Sequence, residues 1–268
     1  GSVPLSWRER LNAQIARLLN MYYMSQVPAA ANVGVAPANP APGFLHQQWS
    51  TWGASGLAGV WAEENTRASI FAALRRKETF ATSGPRMRVR FFGGYGFGDD
   101  IFTKADMVSK AYALGVPMGG DLESKGAQSP EFLVWVTRDP ASNALQRAQI
   151  VKGWIDAEGK THEAVFDVAC AGGVAVNPET QRCPDNNATV DVATCATSAD
   201  TGADELRAVW RDPTYVAGEN AAYYVRALEN PTCRWSSWDA LRADALPNPA
   251  LASTIQERVW SSPIWLEN

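Results

Sequence analysis

The sequence predicts an α+β protein, an N-terminal helical segment followed by a mainly antiparallel, sandwich-like β region. Two observations carry this. Before residue 84, apolar residues recur at helical spacing in two stretches; from residue 85 onward, short runs rich in β-branched and aromatic residues are separated by glycine-, proline- and asparagine-rich turns. The chain therefore divides into a helical segment, residues 1–84, and a β-rich domain, residues 85–268.

Residues 6–26 form the first expected helix. Ser6 is its N-cap, Leu11, Ile15, Leu18 and Tyr22 share one face, and Pro28 stops it. Val27 to Gly43, "VPAAANVGVAPANPAPG", is a low-complexity run suited to an exposed connector or to a strand followed by a loop. Trp49, Trp52 and Trp61 lead into the most organised stretch, Glu63 to Phe92, "EENTRASIFAALRRKETFATSGPRMRVRFF". Its helix begins at an Asn65 N-cap, with Glu63 and Glu64 near the positive end of the helix dipole. Ile70, Phe71 and Leu74 make the apolar face, and Arg75, Arg76 and Lys77 fill the last turn, where cations are favoured.

"TSGP", Thr82 to Pro85, has turn chemistry, and the strand after it alternates cleanly. Met87, Val89 and Phe91 point one way, and Arg86, Arg88 and Arg90 the other. Such an arginine row is either a solvated sheet face or a surface that meets an anion or another domain. "FLVWVT" (Phe132 to Thr137) and "AAYYVRAL" (Ala221 to Leu228) read as strands, and "LQRAQIVKGWID" with "THEAVFDVA" as a hairpin turning at Gly159. "TIQERVWSSPIWL" closes the sheet.

Composition removes several classes. A net charge of -4 lacks the basic excess of a general nucleic-acid binder. No run of about 18 apolar residues is present, so no membrane span is expected. Charges in "WRERLNAQIARLL" break any secretory h-region, and the opening Gly-Ser reads as a cloning scar or cut end from which a signal has been removed. Eleven tryptophans point to an aromatic core or binding surface. The cysteines are Cys170, Cys183, Cys195 and Cys233, none in a C-x-x-C pair; with two histidines in the chain, a zinc site is not expected. Their even number, and the clustering of three in a loop-like stretch, favours disulfides and an oxidising compartment, with three pairings open.

Candidate chemistry is sparse. His162 lies beside Glu163 on a predicted strand with no nucleophile elbow nearby, and His46 sits in a loop between aromatics. "DNNATVD" (Asp185 to Asp191) spaces oxygens as a calcium loop does, but lacks the central glycine and final glutamate of an EF-hand. Asn187-Ala188-Thr189 is a glycosylation sequon. "GGYGFGDD" does not match a phosphate loop. Glu63, Glu64 and Asp121 are carboxylates near chain turns, with Asp121 the weak candidate of the three for acid–base work.

The blocks "GLAGVWAEENTRASIFAALRRKETFATSGPRMRVRFFGG", "GVPMGGDL", "QRAQIVKGW", "YYVRALENPTCRWSSWD" and "IQERVWSSPIW" resemble, in order, the C-terminal part of domain-of-unknown-function family 3604. Members of that family resemble the polymerase-and-histidinol-phosphatase superfamily of metal-dependent phosphoesterases. The resemblance implies a bacterial, exported protein, periplasmic or extracellular, whose helical segment is the edge of a distorted β/α barrel. It implies divalent-metal hydrolysis in complete members. Here the family's early histidine motifs have no counterpart, and its late Asp-Thr-His motif falls on Ala36 and Ala38, so no metal ligands and no cofactor are expected in this chain.

Two functions are therefore weighed. The first is the C-terminal portion of a metal-dependent, phosphoesterase-like hydrolase, inactive alone and partnered by the N-terminal metal-binding half of the same protein. The second is a non-enzymatic secreted binding protein of the same descent. In the family, "ENTR…TSGPR" joins barrel to β region, which makes Arg67 and Arg86, at its ends, and Arg88 and Arg90 the candidate anion or interface residues.

Overall fold

A computed structural model describes residues 6–13 and 55–268. The expected 6–26 helix is seen only in its first turns, residues 7–13 (α1), which open on a capping box: Ser6 N and Oγ both donate to Glu9 Oε2, at 2.8 and 2.9 Å, and Glu9 N donates back to Ser6 Oγ. The rest of that helix, the alanine–proline run with Ala36 and Ala38, His46, Trp49 and Trp52 lie outside the described residues.

The described chain is mixed, with mainly antiparallel sheets and no closed barrel among the described residues. One sheet has eight strands. Its centre is β12 (Asn220–Glu229), which pairs on one side with β7 (Leu145–Ile155), itself paired to β8 (Thr161–Cys170). On its other side β12 holds two short strands in tandem, β15 (Arg258–Ser261) and β16 (Ile264–Glu267). β15 continues to β2 (Thr79–Thr82) and β1 (Leu57–Val60), and β16 to β5 (Asp121–Glu123), in parallel. Strands from both sides of residue 84 thus share this sheet.

The second large sheet runs β11 (Glu205–Arg211), β6 (Glu131–Thr137), β3 (Arg88–Gly94), β4 (Gly115–Pro117). The two sheets enclose one core, with Val89, Phe91, Phe132 and Val134 from the smaller and Ile150, Tyr223, Val225 and Ile264 from the larger. This is a sandwich-like arrangement, as the strand patterning predicts. Phe132 lies 5.5 Å from Phe91 and 4.3 Å from Tyr223, ring centre to ring centre, bridging the layers. Outside the smaller sheet, α3 (Met107–Leu114) lays Met107 and Ala111 on Phe92 and Leu133. Outside the larger sheet, α1 seats Leu11 against Ala222 and Trp265; Gly153 makes room, since a Cβ there would come within 2.9 Å of Leu11 Cδ1.

The hairpin β7–β8 turns through Asp156 and Gly159 (φ 81), as expected. Helix α2 (Arg67–Arg75) departs from expectation at both ends. Thr66, not Asn65, caps it, accepting from Ser69 N at 3.2 Å; the asparagine lies one residue too early to reach a free helical N–H. The C-terminus closes by a Schellman pattern, with Lys77 N bonded to Leu74 O and Glu78 N to Ala73 O, and with Lys77 in the left-handed region (φ 60). Its apolar residues also depart from the amphipathic expectation: Ala73 is buried, but Phe71 is 62% and Leu74 50% exposed.

All four cysteines are paired, Cys170 with Cys183 and Cys195 with Cys233. The closed loops span sequence separations of 13 and 38, which chain-entropy arguments value at about 3 and 4 kcal/mol. Two such bonds are consistent with an extracellular or periplasmic location. A further short helix, α4 (Trp235–Arg242), follows Cys233. No helix among the described residues is long and apolar enough to cross a membrane.

Candidate functional site

The arginine row splits once folded. Met87, Val89 and Phe91 are buried between the sheets, as alternation requires, so Arg88 and Arg90 emerge on the outer face of the smaller sheet. Arg88 is exposed. Arg86, also exposed, donates its backbone N–H to Asp139 Oδ2 at 2.7 Å. Arg67 is exposed at the first position of α2 and joins none of the three. Arg90 behaves differently: its guanidinium lies 3.7 Å from the centroid of the Trp61 ring. Trp61 follows β1 and is fixed by a 2.8 Å hydrogen bond from its indole N–H to Val89 O.

Around this pair lies a cleft of about 520 Å³, lined also by Glu63, Arg76, Glu78, Tyr112 and Pro117. Glu78 is 3% exposed and anchors one wall. Its Oε1 accepts a hydrogen bond from the Tyr112 hydroxyl, and its Oε2 lies 3.5 Å from Arg76 Nη2. Arg90 Nη1 is 3.5 Å from the Tyr112 oxygen, so a continuous chain runs Arg90–Tyr112–Glu78–Arg76. Burial, and then the adjacent Glu78 carboxylate, push the Tyr112 phenol above its ordinary value, which keeps it a donor at neutral pH. Two arginines face two glutamates, so the cleft carries no formal excess of charge. The backbone brings these residues together because α2 ends in its left-handed cap just before β2; Gly119 (φ 86) packs directly under Lys77, where a Cβ would meet Lys77 O at 2.3 Å.

The other candidates have structural partners. Asp121, in β5, forms a 2.9 Å ion pair with Arg8, which also pairs with Glu267, so it tethers α1 to the sheet edge. His162 is half-buried, stacks on Trp154 and bonds Asp156 Oδ2 at 2.6 Å across the hairpin turn. In "DNNATVD", Asp185 Oδ1 accepts from Asn187 N and Asp191 Oδ1 from Ala193 N, so these two oxygens serve local turns, while Asn186 Oδ1 accepts from Gln146 Nε2 and ties the loop to β7. Among the described residues no group of three or more His, Cys, Asp or Glu is placed to hold a metal ion.

The family model for "Protein of unknown function (DUF3604)" matches residues 22–268. The chain belongs to the DUF3604 family. No curated protein and no solved structure matches it. Within this DUF3604 chain, Trp61, Glu78 and Tyr112 are site members that single-residue chemistry does not mark. Only Trp61 carried a signal, as one tryptophan among eleven beside a helix start.

Proposed function

We propose that this chain is the β-rich portion of a metal-dependent hydrolase-like protein of bacterial export, and that the α2 face with the Trp61–Arg90 cleft seats the metal-binding portion. The observation that carries this reading is the pair Phe71 and Leu74. They lie one turn apart on a helix of the fold, yet are 62% and 50% exposed. An amphipathic helix ordinarily turns such side chains inward. The neighbouring cleft supplies an aromatic wall with its charges balanced in number, the composition of an interface core rather than of a solvated surface. The resemblance of "ENTR…TSGPR" to the family's joint between barrel and β region points the same way. In this reading the other portion supplies the divalent metal and the hydrolytic chemistry, since the described residues do not fit a metal centre, and no catalytic step is assigned to them.

The test is association. The chain is titrated with the N-terminal portion of a complete DUF3604 member, followed by gel filtration, elemental mass spectrometry and p-nitrophenyl phosphate hydrolysis. A complex carrying metal, weakened about tenfold or more by Phe71→Asp or Leu74→Asp, supports the seat. A well-folded chain that neither associates nor carries metal overturns it and favours the non-enzymatic secreted binding protein.

A further inference from the structure

Just beyond the end of β11, a lysine is enclosed with two carboxylates. Lys152 stands in β7, directly opposite Tyr223 of β12. Asp212 is the first residue after β11 and Glu219 the last before β12, so the loop between these strands carries both acids to the amine. Nζ lies 2.8 Å from Asp212 Oδ2 and also bonds Glu219 Oε1. None of the three side chains is more than 9% exposed. Trp154 and Tyr223 wall the amine, with ring centroids 5.0 and 5.9 Å from Nζ.

The Asp212 carboxyl is held as an acyl acceptor would be. Its Oδ1 accepts from both the backbone N–H and the hydroxyl of Thr214, each at 2.8 Å, and its Oδ2 accepts from the Tyr223 hydroxyl at 2.8 Å. Two donors on one oxygen are placed to stabilise the charge it gains when an amine adds to the carbon. Burial, and then the Asp212 carboxylate, hold the Tyr223 phenol well above its ordinary value, which keeps it a donor. Asp212 alone balances the charge of Lys152, so Glu219 is left to carry a proton. Nucleophile, electrophile and proton carrier are thus in mutual contact in a place nearly sealed from water, where separated ions are costly.

We propose that Lys152 and Asp212 condense into an intramolecular amide, with Glu219 as the proton-transfer residue. Proton transfer within the pair gives a neutral amine facing a neutral acid. Nζ then adds to Cγ of Asp212, and Glu219 takes a proton from the nitrogen and returns it to Oδ2. The Cγ–Oδ2 bond breaks and one water leaves. One N–C bond forms and one C–O bond breaks, nothing is oxidised or reduced, and Glu219 ends as the carboxylate it began as. The product ties β7 of the larger sheet to the end of β11 in the smaller one, by a bond that thiol reductants do not cut. Exclusion of water from the site deprives the reverse hydrolysis of its reagent.

The test is the intact mass of the folded full chain, measured after reduction of its disulfides. A mass one water below that of the sequence is expected, with proteolysis giving a branched peptide that joins the segments containing Lys152 and Asp212. Glu219→Gln keeps the size and a hydrogen-bond acceptor but removes the proton carrier. It should hold the full mass of its own sequence while keeping the near-ultraviolet circular dichroism of the fold. Lys152→Arg keeps the positive charge without the nucleophilic amine and should also hold its full mass. Where either variant fails to fold, the wild-type mass and its branched peptide still decide. Wild-type protein at the full sequence mass, or a lost water mapped to any other residue, overturns the cross-link. A water still lost from folded Glu219→Gln overturns the role given to Glu219.

Discussion

Arg90 rests its guanidinium 3.7 Å from the centroid of Trp61, and the two residues belong to different strand systems: Trp61 follows β1 of the larger sheet, Arg90 stands in β3 of the smaller. The contact clasps the edges of the sandwich. A cation–π pair that is partly desolvated is worth about 1–2 kcal/mol. Arg90→Ala should therefore lower the urea midpoint by that amount with an unchanged denaturant slope, while Arg88→Ala, fully on the surface, should leave it within about 0.5 kcal/mol. Equal losses from both variants would remove the clasp.

Lys77 holds a backbone conformation that glycine adopts freely and lysine does not, with φ 60 at the C-terminal cap of α2. Lys77→Gly should stabilise the protein by up to about 1 kcal/mol, read as a rise in Tm. A clear drop in Tm would show that the lysine side chain contributes more to the fold than its backbone costs.

Lys152 is 1% exposed in the middle of β7, where Nζ lies 2.8 Å from Asp212 Oδ2 and pairs with Glu219. Tyr223 donates to the same Asp212 oxygen at 2.8 Å. Lys152→Met preserves much of the volume but leaves two carboxylates together, one wholly buried, and should cost about 3–5 kcal/mol by chemical denaturation. Combining it with Asp212→Asn should recover part of that loss. A double variant no better than the single would show that the charges are not coupled.

Glu229 is fully buried; burial first, then the nearby Glu257, push its carboxyl up to about 7 from 4.5, while a hydrogen bond from Ser142 opposes the shift. One oxygen, Oε1, has no hydrogen-bond partner among the described residues. Because the folded value is the higher one, the neutral acid is favoured in the fold. Stability from this group is full below about pH 4.5 and is lost as pH rises through 7, a change of roughly 3 kcal/mol. Glu257 is shifted in the same direction and deepens the slope. Glu229→Gln should flatten the decline between about pH 5 and pH 8 in urea titrations; an unchanged decline would place its origin elsewhere.

How much of this was legible beforehand depends on the distance over which the physics acts. Alternation fixes a strand's faces locally, so Met87, Val89 and Phe91 were readable as core, and Gly159 as a hairpin turn. The apolar spacing of α2 was equally readable, but spacing shows that a stripe exists, not that folding buries it; Phe71 and Leu74 stay exposed. The Glu78–Tyr112 and Arg90–Tyr112 contacts join residues 34 and 22 positions apart, through the packing of α3 on β3. No short-range pattern encodes them. The disulfide pairing was open among three for the same reason.

The central position of β12 has a bearing on biosynthesis. Its partners β15 and β16 lie later in the chain, and Thr82, paired with Leu57 on one side, waits for Val259 on the other. As the polypeptide leaves the ribosome, β1 and β2 therefore have no finished larger sheet to join until nearly all of the described sequence has emerged. Such a chain assembles late and slowly, with open strand edges in the meantime. The Cys195–Cys233 disulfide is subject to the same order, since Cys233 follows β12 and the bond cannot close before that strand has been made.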